Sequence, residues 1–280
     1  MTDQPQGAND ESLFPIDPNV ARLSRLENFL AGGDAHFAVD RAAAESLSAE
    51  TLTGLEGLRA TIETLWAFVA RAVGFLTGEA GARQFLHIGT SVPTSGMTHE
   101  VAWQIAPDAR VVYVSYDPTA LAHAHRLEIG APEEGAVASV FCPYDDPQTI
   151  LREAAATLDF GRPVVVILPT TLVLIPDNDV ARRIVDDLRD ATVSGSHVVL
   201  AHTSLDIASE RTAKLLARLN QELDEPYVAR TEAEILELLD GFELLSPGLV
   251  PVERWRNDDA PPVLGPDRTV PLYGAVGRKP

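Results

Sequence analysis

Apolar positions recur along this chain at two different periods, and the change from one to the other falls near residue 82. From Pro18 to about Gly81 the spacing is helical: Val20, Leu23, Leu26 and Leu30 share a stripe, an alanine-rich stretch follows from Asp40 to Ser48, and another apolar stripe runs from Leu55 to Leu76. Gly32 and Gly33 separate the first two helices. From Arg83 onward short apolar runs alternate with helical segments. The runs predict strands over Gln84 to Gly89, Arg110 to Ser115, Ala136 to Cys142, Val164 to Leu168 and His197 to His202, with helices starting near Pro93, Pro118, Pro147, Asn178 and Ile207. Such alternation implies a parallel sheet covered by helices on both faces, with Gln84 to Gly89 central between Arg110 to Ser115 and Val164 to Leu168.

The C-terminal part reads differently. Thr231 and Glu234 form a capping box ahead of Ile235 to Leu239. Gly241 to Leu245 and Val270 to Gly277 read as two further strands, joined by a loop, Pro247 to Thr269, that contains Pro247, Pro251, Pro261, Pro262 and Pro266. The last strand is expected to run antiparallel. The predicted fold class is therefore α/β, a Rossmann-like, mostly parallel sheet with an antiparallel last strand, plus an N-terminal helical cap. Residues 1–17 are expected to be a disordered tail, 18–81 the cap packed over the C-terminal strand ends, and 82–280 the core.

Composition narrows the function classes. The 280 residues carry 41 acidic and 22 basic side chains, a net charge of −19, and the arginines are scattered among acids with no basic stripe. Nucleic acid is excluded as a partner on this reading, because the average surface repels phosphate. The single cysteine, Cys142, permits neither an intramolecular disulfide nor a cysteine metal cluster and lies in an apolar strand, where an inert buried thiol is expected. No uninterrupted apolar stretch of about 20 residues is found, so no membrane association and a cytoplasmic setting are expected.

The chemistry concentrates after the first strand. Gln-Phe-Leu-His-Ile-Gly-Thr-Ser-Val-Pro-Thr, residues 84–94, is a buried strand ending in a glycine turn, where nucleotide-binding α/β proteins build a cofactor cradle. His87 stands where such loops usually carry a carboxylate, and Ser91 where they usually carry a second glycine.

Collinear segments carry a family resemblance across roughly Pro18 to Pro280. They are Phe29-Leu30-Ala31-Gly32-Gly33, Phe37-Ala38-Val39-Asp40-Arg41, Arg71-Ala72-Val73, Arg83 to Thr90, Ala106 to Val114, Pro176-Asp177, Pro247 to Val252 and the tail Tyr273 to Pro280. The chain resembles the actinobacterial S-adenosyl methyltransferase family formerly catalogued as a domain of unknown function. The resemblance implies a class I methyltransferase fold and an S-adenosyl-L-methionine site over Gly89, Thr90, Ser91, Ser115, Tyr116, Asp117, Tyr144 and Asp145.

That site departs from the family pattern. Asp-Ile-Gly-Thr-Gly is here His87-Ile88-Gly89-Thr90-Ser91, and Val-Asp-Asn-Asp-Pro is Val114-Ser115-Tyr116-Asp117-Pro118. Asp-Leu-Arg-Asp-Pro is Pro143-Tyr144-Asp145-Asp146-Pro147. Ser115 cannot make the bidentate ribose contact of a carboxylate, and Pro143 offers adenine no side-chain acceptor. In the cap, Asp34 replaces a lysine, and Glu63, Leu65 and Trp66 lie where the family tends to carry Arg and Asn. The histidine usual before Val-Pro-Asp is Val173. Polar contacts contribute about 1–3 kcal/mol each, so their joint loss removes orders of magnitude of affinity.

Two readings follow. In the first the scaffold has lost ordinary S-adenosylmethionine binding and acts on, or binds, a small molecule, with His87, His36 and His202 as candidate acid/base groups and aromatic Trp66, Tyr116 and Tyr144 in the vacated space. In the second it is a working small-molecule methyltransferase with an atypical cradle, in which Asp117 serves the ribose and Asp145 or Asp146 the adenine. Asp117 and Asp146, each before a proline, equally suit helix N-caps. No motif signals a metal, and His99 is a further titratable candidate.

Overall fold

The structure, a computed structural model, describes residues 16–51, 53–89, 97–120, 135–207, 209–257 and 270–280. Nearly all of the expected tail, the predicted helix start at Pro93, and Thr90 and Ser91 lie outside these residues. Apolar runs become strands β1 (Gln84–Ile88), β2 (Arg110–Ser115), β3 (Ala136–Phe141), β4 (Val165–Pro169) and β5 (His197–Thr203). Three short or late strands follow, β6 (Glu243–Leu244), β7 (Val250–Pro251) and β8 (Leu272–Arg278). Spatial order is β3-β2-β1-β4-β5-β8-β6, with β7 also on β8. β1 to β5 are parallel and β8 is antiparallel to β5, as the sequence pattern requires. Every residue of β1, β4 and β5 is buried, which is why these strands read as continuous apolar runs rather than alternating ones.

Helices α1 (Leu23–Leu30), α2 (Ala38–Ser48) and α3 (Leu55–Gly78) precede the sheet; α4 (Thr98–Ile105), α5 (Pro147–Ala154), α6 (Asn178–Asp190), α7 (Glu210–Glu222) and α8 (Glu232–Leu238) connect or flank its strands. Their starts are set by local caps. Asp146 accepts from Thr149 N ahead of Pro147, Asp177 accepts from Asp179 N and Val180 N, and Thr231 and Glu234 exchange the capping-box bonds. α7 begins later than Ile207 because Ser209 is the residue that accepts from Thr212 N. β8 begins at Leu272 rather than Val270, since Pro271 between them has no N–H for the ladder.

Leu86 and Ile88 face a core layer closed by α5, α6 and α8, while Phe85 packs into the opposite layer with α3 and α4. A third apolar cluster joins α1, α2 and α7 above the strand ends. α3 takes part in both regions: Leu58 lies in the cap cluster, whereas Leu65, Phe68, Val69, Ala72, Val73 and Leu76 pack under the sheet. By length and composition alone this helix is apolar enough to cross a membrane, which qualifies the sequence expectation of no such segment; half of its most apolar window is buried inside the fold. Arg71 on it donates to the backbone carbonyls of Val252 and Trp255, fixing it to the turn after β7.

Candidate functional site

At the end of β1 the chain turns at Gly89, with φ +83°. A Cβ built there would lie 2.3 Å from Thr171 Oγ1, so a larger residue meets both backbone strain and a clash. Thr171 itself donates to Ile88 O, and Gly89 N donates to Val114 O. The first turn of the cradle is thus buttressed by the residue that opens the short 3-10 helix Thr171–Leu174 after β4.

The end of β2 is equally tied. Ser115 Oγ accepts from Asp117 N at 3.1 Å, and Tyr116 N lies 3.4 Å from Tyr144 Oη. The Tyr116 ring is 43% exposed and leans on Phe141 at 5.6 Å between centroids. Asp117 is buried. Its Oδ1 accepts from Thr119 N and Thr119 Oγ1, the N-cap geometry expected before Pro118, while Oδ2 accepts from Ser24 Oγ on α1. Asp145 is exposed in the turn before α5 and does not line the cleft; Tyr144 does.

α1 closes over these strand ends through charges that the sequence reading did not single out. Arg25, 2% exposed, places Nε 3.3 Å from Asp40 Oδ2 and 3.9 Å from Asp117 Oδ2. Asp40 also accepts from Arg22 N and Phe37 N, joining the starts of α1 and α2. Glu225 pairs with Arg22 Nη1 at 2.8 Å and accepts from Leu23 N. Arg25 lies off the Leu23, Leu26 and Leu30 stripe, so the apolar spacing gave no sign that it would be buried.

Two cavities result. Between Gly89, Tyr116, Asp117, Tyr144 and α1 only about 20 Å³ is open. Beneath the cap, Leu26, Leu30, Leu58, Ile62, Leu215 and Leu272 line a mostly apolar cavity of about 310 Å³. Leu23, Glu27 and Thr170 line both. Thr170, just past β4, has φ +59°, an unusual conformation for a β-branched residue and another feature the sequence did not disclose.

A family profile described as S-adenosyl methyltransferase matches residues 9–280. The chain belongs to that family. A DUF574 family protein from Streptomyces avermitilis is 34% identical, with 95% of this chain and all of that one covered and a TM-score of 0.88. A Thermobifida fusca protein solved under a provisional methyltransferase designation is 32% identical, with 94% and 96% covered and a TM-score of 0.83. None of the curated proteins compared matches.

In this S-adenosyl methyltransferase family member the three candidate histidines are not brought together. His87 is 2% exposed on the α3 and α4 face of β1, its Nδ1 2.8 Å from Thr98 Oγ1 and its ring against Trp66 and Tyr113. Its Nε2 is buried without a hydrogen-bond partner among the described residues, and His87 lines neither cavity. His202 is fully buried on β5; Nδ1 donates to Thr203 O and Nε2 accepts from Arg230. His36 lies in the cap against Phe29, with Nδ1 3.4 Å from Asn28 Oδ1. His99 pairs with Tyr113 Oη at 2.9 Å. Cys142, just past β3, is buried and its thiol is pushed up to about 11, mainly by burial, as expected of an inert residue. No group of metal-ligating side chains occurs among the described residues.

Burial lowers His87 to about 3 and His202 to about 4, so both are neutral near pH 7. The unfolded chain then binds more protons than the native one between those values and about 6.5. Stability is complete above pH 6.5 and falls on acidification. Urea unfolding at pH 5.5 should show about 2–3 kcal/mol less stability than at pH 7.5, and replacing His202 with glutamine should roughly halve this dependence, His87 supplying the rest.

Proposed function

We propose that this member of the family binds a small apolar molecule in the cavity beneath α1, α2, α3 and α7, and does not hold S-adenosylmethionine in the ordinary way. The observation that carries the reading is that the protein's own contacts take up the polar groups at the strand ends where the family resemblance expects the cofactor. Ser115 stands where the resemblance expects a ribose-binding carboxylate, and the nearby Asp117 is committed to Ser24, Thr119 and Arg25. The opening of about 20 Å³ there is far below the roughly 300–1,000 Å³ typical of a ligand pocket. These contacts and the narrow opening among the described residues support the reading that the cofactor is not held there in the ordinary way. The cavity of about 310 Å³ beneath the cap does meet that size, with an apolar wall and a polar edge at Thr170 and at Thr203, whose Oγ1 lies 2.6 Å from Tyr227 Oη.

Calorimetric titration with S-adenosylmethionine and S-adenosylhomocysteine is expected to give no saturable heat. Micromolar binding of either overturns this reading and favours a working methyltransferase, in which Asp117 leaves Ser24 to serve the ribose. The cavity is tested with the neutral fluorescent probe N-phenyl-1-naphthylamine. Ile62→Trp, which fills half-buried space on its wall, is expected to weaken the probe at least about tenfold while thermal unfolding stays cooperative. An unchanged affinity would place the probe elsewhere.

A further inference from the structure

A third cavity, of about 520 Å³, lies at the opposite edge of the sheet, where β1, β4 and β5 begin and β8 ends. Its lining is unlike the rest of the molecule. In a chain of net charge −19, Arg83, Arg162, Arg278 and His197 all line it, and no carboxylate does so among the described residues. The remainder is mostly apolar, with Phe75, Val165 and Leu245 among it, and the amide of Gln84 is committed to the backbone of Asp159 and Pro163.

Two of the arginines are held in place. Arg83 donates to Thr77 O and Ala82 O and meets Asp108 at 3.2 Å; Arg278 meets Glu243 at 3.4 Å. Both carboxylates stand outside the lining, so each orients a guanidinium while leaving further donors for a ligand. Arg162 pairs with no carboxylate among the described residues. His197 is the cross-strand partner of Arg278, and its imidazole is 8% exposed.

We propose that this cavity is a binding site for a small organic anion, in which a phosphate or carboxylate head meets Arg162 and Arg278 and a flat apolar body rests on Phe75 and Leu245. Guanidinium groups offer such heads parallel N–H donors, and each charge-assisted contact is strong where an apolar floor limits water. The site is independent of the cap cavity and of any role for the cofactor cleft.

Phenyl phosphate, inorganic phosphate and phenol are titrated in parallel into the full-length protein by calorimetry and by two-dimensional NMR. Phenyl phosphate should saturate at one equivalent, with inorganic phosphate about tenfold weaker and phenol undetected, and its affinity should fall as salt is raised. Arg162→Gln and Arg278→Gln, both at exposed side chains, should each weaken it about tenfold. Ile62→Trp, in the cap cavity, should leave it unchanged. Absence of saturation at about 10 mM, insensitivity to both arginine changes, or loss in Ile62→Trp overturns the proposal; equal affinities for the two phosphates overturn the apolar half of the ligand.

Discussion

Replacing His87 with aspartate, which restores the residue type that the family resemblance expects, is predicted to cost about 3–5 kcal/mol of folding stability and to leave S-adenosylmethionine binding undetected. The imidazole fills space between Trp66 and Tyr113 and is 2% exposed. Aspartate is shorter, so it leaves part of that volume empty, and it carries a charge into a region where Thr98 Oγ1 is the polar group within bonding distance of the present ring. Among the described residues no arginine or lysine contacts His87 to compensate. His87→Asn separates the two causes: it removes the ring without adding charge and should cost appreciably less. Urea unfolding gives both losses, and calorimetry gives the binding. An aspartate variant as stable as the parent that takes the cofactor at micromolar concentration would mean that His87 alone had closed the cradle.

The contrast between what the chain displays and what it conceals follows from range. The sheet was legible because each strand is a short buried run and each connection a cap signal a few residues long: Asp146 before Pro147, Asp177 before Asn178, Thr231 with Glu234. Asp117 was legible as an N-cap for the same reason. Its second bond was not, because Ser24 is 93 residues away and nothing local couples the two. Arg25, Asp40, Glu225 and the apolar cavity were hidden in the same manner, being products of how α1 settles on the strand ends. α3 shows the limit of periodicity: one apolar stripe serves the cap at its start and the sheet further along, and spacing alone does not mark where the partner changes. Thr170 was beyond reach because its left-handed backbone, at the start of the 3-10 turn, runs against the preference of a β-branched residue.

Changing Arg25 to leucine is expected to destabilise the protein by about 3–5 kcal/mol, chiefly by leaving carboxylates buried without their cation. Arg25, Asp40 and Asp117 are 2%, 0% and 5% exposed. Asp40 keeps two backbone donors, Arg22 N and Phe37 N, when the guanidinium is lost. Asp117 keeps Thr119 and Ser24 but loses the positive charge beside it, and the guanidinium also leaves Val20 O and the Phe37 ring. A second change, Asp117→Asn, should therefore return part of the lost stability in the Arg25→Leu background while being destabilising alone. That non-additivity is the measurement that isolates the ion pair from lost packing. Ser24→Ala, which removes one hydrogen bond, should cost only about 1 kcal/mol. Hydrogen exchange supplies the functional side of the test: if these charges hold α1 over the cleft, amides of α1 and α2 should exchange faster in Arg25→Leu than those of β1 and β4. Uniform acceleration across the sheet, or a loss below about 1 kcal/mol, would mean that the apolar contacts of Leu23, Leu26 and Leu30 hold the cap without them.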